Sequence, residues 1–383
     1  MEMPGSAIDA AGRRFDGWLL DKTLPLWWTS GADRAGGYHE QLGHDGTAVD
    51  MPRRARVQAR QVYVYAMAGK LGWAGPWRQA AGHGFDYLLA RYRRPDGLFR
   101  TLVGARGEAM DDTAMLYDQA FVLLACASLH RADPTDKTPL QVAAALREAI
   151  DASMRHDSGG FAEAAGHRFQ SNPHMHMLEA TLAWAEAGGD RSWEALAGEI
   201  VELCLSRFID PEGGFLREAF GAGWAPAEGD AGRIVEPGHQ FEWAWLLERW
   251  GRRTGDLRAR VAARRLFVSG LKGVDIERGV AVDEMWDDMR IKSPRARLWP
   301  QTERLKAGLL LAQTENAAAR DAYLDDARMA AAALWSYLQM PVDGLWRDKM
   351  REDGSFVEEP APASSLYHIV AAIAELRSIA DPA

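Results

Sequence analysis

Three of the ten histidines in the 383-residue chain lie in strongly apolar segments, where an imidazole is uncommon. His176 stands in NPHMHMLEA, His239 in EPGHQFEWAWLLERW and His368 in SSLYHIVAA. An imidazole has an unperturbed pKa of about 6.5, so it can take and return protons at neutral pH. Arg60, in VQARQVYVYA, carries a guanidinium suited to holding a developing oxyanion. Together these residue types indicate proton abstraction next to a carbonyl, followed by reprotonation through an enediolate.

Further polar residues occupy comparable places in other apolar segments. His239 and Glu242 are three residues apart, which puts both on one face of a helix. The other candidates are Tyr117 and Asp118 in LYDQAF and Glu303 in LWPQTERLKAG. Taken singly, a buried histidine is more often a satisfied core group, and Arg60 could simply pair with Glu40 or Glu242. The recurrence of histidine at equivalent places in three segments favours a common site.

A glycine followed by an apolar residue recurs along the chain at intervals of 54 to 65 residues. These glycines are Gly37, Gly97, Gly160, Gly214, Gly279 and Gly344. Self-similarity at a nearly fixed period indicates a repeat architecture, in which each unit buries the apolar face of its neighbour. Six such units account for nearly the whole chain, which predicts a single domain over residues 1–383.

The segments before and after each glycine turn differ in their polarity. Those before it are amphipathic with a helical period, as in 139–157, 191–210 and 317–339, whereas those after it are apolar nearly all round. One polar face predicts an outer helix, and no polar face predicts an inner one. The sequence therefore predicts an all-α fold, an (α/α)6 barrel of six helical hairpins with short β-like turns at one end. An open solenoid of helical pairs is the alternative.

Parallel inner helices would bring their polar N-terminal residues to one mouth, as in a small-ligand pocket. No metal site is expected there, because the two histidines of HMH point to different sides of a helix and no HExxH motif is present. Glycoside hydrolysis is the serious rival, with its pair of carboxylates drawn from Asp112, Asp118, Glu242 and Glu303. That chemistry, however, leaves three histidines and an arginine without a role.

Composition limits the partners and the compartment. The formal net charge of −9 and the isoelectric point near 5.6 argue against nucleic acid or an anionic membrane as partner. No apolar run reaches the roughly 18 residues of a membrane span, and the N-terminus lacks the pattern of a secretory signal. Cys126 and Cys204 stand in apolar helical stretches, so no disulfide is expected. These features favour a cytoplasmic protein, either a monomer or a homodimer.

Five segments resemble the signature segments of the N-acylglucosamine 2-epimerase superfamily, and they occur in the same order. They are VQARQVYVYA, NPHMHMLEA, EPGHQFEWAWLLERW, RLWPQTERLKA and LYHI, within a likeness that runs from about residue 8 to residue 379. The resemblance implies an (α/α)6 barrel that acts on C1 and C2 of a reducing sugar without a metal or redox cofactor. The implied partner is a monosaccharide.

The resemblance also implies a role for each matching residue. Arg60 matches the arginine that holds the enediolate, and His176 and His368 match the two histidines on opposite faces of the open-chain sugar. His239 and Glu242 match the pair that assists ring opening. By the same analogy Tyr117, Asn172 and Trp299 are expected to contact the substrate, with Glu303 and Asp118 as further candidates.

The branch of the superfamily bears on the substrate. The segment PGHQFEWAW, in which Trp243 follows Glu242, resembles the mannose and sulfoquinovose isomerase branch. This resemblance favours the interconversion of D-mannose and D-fructose as the reaction. A 2-epimerase acting on an N-acylglucosamine or a disaccharide is the alternative. A basic run could hold a phosphorylated sugar or could be a solvated loop; it contains Arg290, Lys292, Arg295 and Arg297.

Overall fold

The computed structural model describes residues 4–164, 166–167, 169–313 and 316–380. Its helices are α1 Pro4–Trp18, α2 Leu24–Leu26, α3 Ala55–Lys70, α4 Trp77–Arg91, α5 Leu116–Ala132, α6 Thr138–Met154, α7 Ser171–Glu186, α8 Arg191–Leu203, α9 Pro237–Thr254, α10 Leu257–Leu271, α11 Trp299–Ala312, α12 Ala317–Leu338 and α13 Ser364–Ala380. Two π-helical turns continue α1 through α2 to Gly31, and a third extends α8 to Phe208. None of these helices is both long and apolar enough to cross a membrane.

The helices form two concentric rings. The inner ring contains α3, α5, α7, α9, α11 and α13; each packs against the next, and α13 packs against α3. The outer ring contains α1, α4, α6, α8, α10 and α12, each packed against an inner helix. This closure confirms the predicted (α/α)6 barrel and rejects the open solenoid. The core lies between the rings, and inner residues such as Val64, Leu123 and Leu309 are fully buried.

All six glycines of the sequence repeat have a left-handed backbone, with φ between 69° and 92°. Each stands in the turn that leads from an outer helix to the next inner helix. A side chain at positive φ is strained, so glycine is the residue that makes this turn without cost. The repeat in the sequence therefore reports a backbone requirement of the hairpin.

An amide side chain on the inner helix fastens most of these turns. The Gln119 side chain accepts a hydrogen bond from Phe99 N at 2.8 Å and donates one to Phe99 O at 2.9 Å. The same two-way contact joins Gln58 to Tyr38, Gln240 to Leu216 and Gln301 to Ala281. In the third hairpin His174 takes this place, because its Nε2 accepts from Phe161 N at 3.0 Å. His174 is thus a structural residue.

Short antiparallel strands gather at the end of the barrel where the inner helices begin. They are β1 Gln41–Leu42, β2 Arg53–Arg54, β3 Leu102–Val103, β4 Ala109–Asp111, β5 Phe169–Gln170, β6 Ala219–Phe220, β7 Ile234–Val235, β8 Val274–Asp275, β9 Val280–Ala281, β10 Glu284–Trp286, β11 Ile291–Ser293, β12 Ala296–Arg297, β13 Lys349–Met350 and β14 Ala361–Pro362. The sheets are β1–β14, β2–β3–β4, β5–β6, β7–β10–β11, β8–β9 and β12–β13. The pairing of β1 with β14 joins the first hairpin to the last. The strands therefore connect the two ends of the repeat, as the packing of α13 against α3 does for the helices.

Candidate functional site

A cavity of about 250 Å³ opens at the N-terminal ends of the inner helices. Its lining is polar and comes from every inner helix and from the loops just before them. The lining residues are Arg60, Tyr117, Asn172, His176, Glu236, His239, Glu242, Arg297, Trp299, Asp348, Ser364, Ser365 and His368. A concave site with several convergent polar groups is typical of a small-molecule binding site.

Arg60 is held on the cavity wall by two hydrogen bonds. Its guanidinium donates to the Tyr117 hydroxyl at 2.7 Å and to the Ser364 carbonyl at 3.2 Å. The guanidinium carbon also lies 4.2 Å from the centre of the Phe121 ring. These contacts fix the orientation of a charge that is only 5% exposed. Such a preorganised cation can stabilise an oxyanion.

His368 is oriented by a carboxylate beneath it. Its Nδ1 lies 2.9 Å from Glu303 Oε1, and Lys306 Nζ donates to Glu303 Oε2 at 2.7 Å. Burial would raise the pKa of Glu303, but Lys306 and His368 outweigh it, so this carboxyl is ionised and Nδ1 of His368 carries the proton. Burial lowers the pKa of His368 itself to about 4. The imidazole is therefore neutral at pH 7, with its lone pair on Nε2.

His176 is buried beside two carboxylates but bonds to neither. Its Nδ1 is 3.6 Å from Glu179 Oε2 and 3.8 Å from Glu242 Oε1, which is too long for a hydrogen bond. Burial lowers its pKa to about 4 in spite of Glu179. Burial, together with Glu303, raises the pKa of Glu242 well above its usual value. Among the described residues, His176 Nδ1 and Glu242 Oε1 have no hydrogen-bond partner, so both remain able to bind a ligand or water.

His239 differs from the other two histidines in its charge. Its Nδ1 lies 2.8 Å from Glu218 Oε2 and 3.9 Å from Glu236 Oε2. Burial would lower the pKa of His239, but the two carboxylates outweigh it and raise the pKa to about 9. His239 is thus an imidazolium at neutral pH, and it lies against the Trp299 ring at 5.0 Å between centres. The carboxylate bonded to it is Glu218, not the Glu242 that the helical spacing suggested.

The sequence matches the family model described as N-acylglucosamine 2-epimerase (GlcNAc 2-epimerase) over residues 36–372. The chain belongs to this family. It is 49% identical over 379 residues to the "Mannose-6-phosphate isomerase" of Rhizobium meliloti (strain 1021), an alignment that covers 97% of this chain and 98% of that protein. It is 32% identical over 225 residues to the "D-mannose isomerase" of Thermobifida fusca, covering 53% and 54% of the two chains. A crystal structure of a D-mannose isomerase has the same fold, with a TM-score of 0.85, 20% identity and coverage of 94% and 96%.

In this member of the N-acylglucosamine 2-epimerase family, the barrel brings together eight of the ten side chains expected from the sequence. Those on the cavity are Arg60, Tyr117, Asn172, His176, His239, Glu242, Trp299 and His368. Glu303 lies behind His368 and contacts it without lining the cavity. Asp118 also lies outside the lining; it pairs with Arg56 at 3.1 Å and accepts a hydrogen bond from Thr101. Direct substrate contact by either residue therefore has no support from this geometry.

Several lining residues were missed in the sequence because they lie in the loops before the inner helices or at the first residues of α13. Glu236 and Arg297 stand one and two residues before α9 and α11, and Arg297 was considered only as part of a basic loop. Asp348, Ser364 and Ser365 come from the last hairpin; Ser365 donates to Asp348 at 2.6 Å. Within the basic run, Arg290, Lys292 and Arg295 pair with Asp288, Glu284 and Asp283 and do not reach the cavity.

Three groups of a histidine and two carboxylates bring their donor atoms within 4.8 Å of one another in the described part of this family member. They are His176 with Glu179 and Glu242, His368 with Glu242 and Glu303, and His239 with Glu218 and Glu236. Oxygen and imidazole donors of this kind suit divalent cations. In the second group, Lys306 already supplies a positive charge 2.7 Å from Glu303. The expectation of catalysis without a metal therefore needs a direct test.

Proposed function

We propose that this protein is a cofactor-independent isomerase that interconverts D-mannose and D-fructose. The observation that carries the proposal is the convergence of two neutral imidazoles, His176 and His368, with Arg60 on one cavity. A neutral imidazole is a competent general base, and a fixed guanidinium is a competent oxyanion partner. Membership of a family named for work at C2 of a sugar is consistent with this chemistry.

The reaction begins with the open-chain aldose, whose C1 carbonyl makes the proton on C2 acidic. Nε2 of His368 removes this proton, and Arg60 stabilises the negative charge that spreads over O1 and O2. Return of a proton to C1, with transfer of the O2 proton to O1, gives the ketose. His368 suits the role of base because Glu303 fixes Nδ1 as a donor at 2.9 Å.

Ring opening requires a proton donor near the ring oxygen, and His239 is the candidate. Its pKa of about 9 keeps it protonated at neutral pH, so it can donate a hydrogen bond. Glu242, whose pKa is raised by burial, can exchange a proton with the anomeric hydroxyl. The Trp299 ring next to His239 offers an apolar face for the sugar.

The charges on the cavity favour an unphosphorylated sugar. Arg297 is occupied by Asp283 at 2.9 Å and Glu236 at 3.1 Å. His239 is occupied by Glu218, while Glu236 and Asp348 add acidic groups to the lining. These carboxylates would repel a bound phosphate dianion, and the cations that could neutralise it, Arg297 and His239, are already paired with carboxylates. The protein should therefore turn over mannose faster than mannose 6-phosphate.

A 2-epimerase is the second candidate, and the placement of the two histidines favours it. His176 lies on α7 and His368 on α13, which are separated by two inner helices on either side of the ring. Of two imidazoles that approach a sugar from opposite sides, one can remove the C2 proton, and the other, after taking up a proton from solvent, can deliver that proton to the opposite face of C2. This sequence of steps inverts C2 and leaves an aldose.

The test is incubation of the purified protein with D-mannose in the presence of EDTA, followed by NMR of the sugars. Formation of fructose that EDTA does not reduce supports the isomerase. The same reaction in heavy water separates the candidates, because epimerisation places deuterium at C2 of an aldose product. Parallel reactions with mannose 6-phosphate, N-acetylglucosamine and cellobiose test the substrate class. Absence of turnover and of C2 exchange with every aldose would reject both candidates.

A further inference from the structure

Three buried carboxylates share one buried lysine beneath the cavity. Lys306 is fully buried on α11, with Nζ 2.7 Å from Glu303 Oε2 and 3.9 Å from the centre of the Trp245 ring. Glu179 and Glu242 are also buried and complete the group of carboxylates. Lys306 does not line the cavity, so its ammonium acts on the site only through its neighbours.

The carboxylates lie directly against the two neutral histidines. Glu303 bonds to His368 at 2.9 Å, and Glu179 and Glu242 lie 3.6 and 3.8 Å from His176. A negative charge at such distances stabilises the protonated form of an imidazole and commonly raises its pKa by about 1 to 3 units. Without a cation beside it, the Glu303 carboxylate would favour protonation of His368, and a protonated imidazole cannot act as a base.

The other charged and titratable groups around the cluster leave Lys306 as its direct counter-charge. From the neighbouring inner helices, these groups are Arg60 and Tyr63 on α3, His239 and Arg249 on α9, and Tyr367 and Glu375 on α13. The charged His239 bonds to Glu218 at 2.8 Å. Arg60 bonds to Tyr117 and Ser364, and Arg249 bonds to Glu186 at 2.6 Å. Tyr367 donates to Glu179. Across residues 4–164, 166–167, 169–313 and 316–380, the pair with Glu303 is the one ion pair that joins a lysine or arginine to the three carboxylates.

We propose that Lys306 is a positioning residue for the isomerisation, because its ammonium, 2.7 Å from Glu303, keeps this carboxylate ionised and offsets its charge so that His368 stays neutral. Glu303 can then orient His368 without protonating it. The proposal rests on the proposed function, since it concerns the base of that reaction. Lys306 does not contact the sugar. It instead sets the pKa of His368, which does contact the sugar.

The decisive measurement is the pH dependence of kcat/KM for Lys306→Met. Methionine fills a similar volume without the charge, so His368 should become protonated at higher pH. We expect the acid limb of the profile to move upward by about one pH unit or more, with activity partly restored at alkaline pH. Lys292→Met is the matched control, because it removes a lysine that pairs with Glu284 at the surface, 2.5 Å away. The control should keep the wild-type profile.

A double variant, Glu303→Gln with Lys306→Met, keeps the experiment decisive even if the single variant fails to fold. It removes one positive and one negative charge together, so the balance around the histidines is unchanged. A glutamine oxygen can still accept the hydrogen bond from His368 Nδ1. We expect the acid limb of the double variant to return to the wild-type position.

Two outcomes would overturn the proposal. One is a Lys306→Met profile that is lowered equally at every pH, as expected if the lysine only supports the fold. The other is a double variant whose acid limb is displaced from the wild-type position by about one pH unit or more. Both outcomes presuppose an active wild-type enzyme. An inactive wild-type protein would instead reject the proposed function, so the two failures are distinguishable.

Discussion

At the scale of single residues, the same side chain acquires different charges in one cavity. His368 and His176 are neutral because burial lowers the pKa of each to about 4. His239 is charged because Glu218 and Glu236 outweigh burial and raise its pKa to about 9. Two neutral imidazoles and one imidazolium therefore line the same cavity at neutral pH. This difference in charge comes from the neighbours of each imidazole and not from the imidazole itself.

Replacing His368 tests the proposed base. His368→Ala should lower kcat by about 10² to 10⁴, the usual contribution of a general base, with little change in the unfolding transition. His174→Gln is the matched control, because His174 accepts a backbone hydrogen bond in a place where four other hairpins have glutamine. Steady-state kinetics on both variants check the prediction. Equal losses in the two variants would contradict the assignment of His368.

The charge of His239 should appear in the pH dependence of stability. Its folded pKa of about 9 exceeds the unfolded value of about 6.5, so its stabilisation is complete below pH 6.5 and is lost as the pH rises through 9. The shift corresponds to roughly 3 kcal/mol. Denaturant unfolding of the wild type and of His239→Gln should therefore differ most near pH 6 and converge near pH 10. A difference that stays constant with pH would show that His239 is not charged.

At the scale of elements, most of the hairpins have a side-chain contact between the inner helix and the turn before it. The amide of Gln119 satisfies both the N–H and the carbonyl of Phe99, and both residues are buried. Unsatisfied backbone groups are costly in a protein interior, so a buried glutamine stabilises this inner helix better than a leucine would. The same glutamine contact joins four of the inner helices to the preceding turn, close to the N-terminal ends where the cavity side chains lie.

Breaking one of these contacts should destabilise the barrel. Gln119→Leu leaves the N–H and the carbonyl of Phe99 without partners, and each such group costs about 1 to 3 kcal/mol. We expect a loss of roughly 2 to 6 kcal/mol in the free energy of unfolding. Gln79→Leu, on the exposed face of α4, is the control and should change stability by less than about 0.5 kcal/mol. Denaturant titration of both variants provides the measurement, and similar losses would argue against the contact.

At the scale of the whole molecule, ring closure creates the cavity. Arg60 on α3 donates to the Ser364 carbonyl at the start of α13, across 304 residues of sequence. Arg377 on α13 bonds to Asp16 on α1 at 2.7 Å, so the first outer helix also lies against the last inner helix. The site thus depends on contacts between the two ends of the chain. An open array of the same hairpins would separate Arg60 from His368.

A circular permutant tests this dependence on closure. Because α1 packs against α13, a flexible linker can join the two ends of the chain, and new ends can be opened in the exposed loop at 133–137. The permutant should fold, unfold cooperatively and keep activity near that of the wild type, since every inner helix keeps its neighbours. Aggregation, or activity lowered by more than about tenfold with native helix content by circular dichroism, would contradict this expectation.

Much of the architecture is predictable from local patterns. The segments 139–157, 191–210 and 317–339 correspond to α6, to α8 with its π-helical extension, and to α12, because an outer helix needs one apolar face. The family is confirmed by the match over residues 36–372. The roles of the cavity residues and the single domain remain predictions, and so does the cytoplasmic location. The buried glutamines were not predicted, since nothing local distinguishes a glutamine that fastens a turn from one that faces solvent.

The sequence by itself determined the hairpin repeat and the side chains that face the barrel axis, because glycine turns and helical periodicity are properties of neighbouring residues. Only the tertiary structure decided which charges meet. His239 bonds to Glu218, Arg297 reaches the cavity, and Lys306 lies among three carboxylates, although all of these partners except Glu303 are remote in the sequence. Proton affinities depend on burial and on charges a few ångströms away. The pKa values of the cavity side chains therefore depend on the closed ring of helices, which the sequence alone does not show.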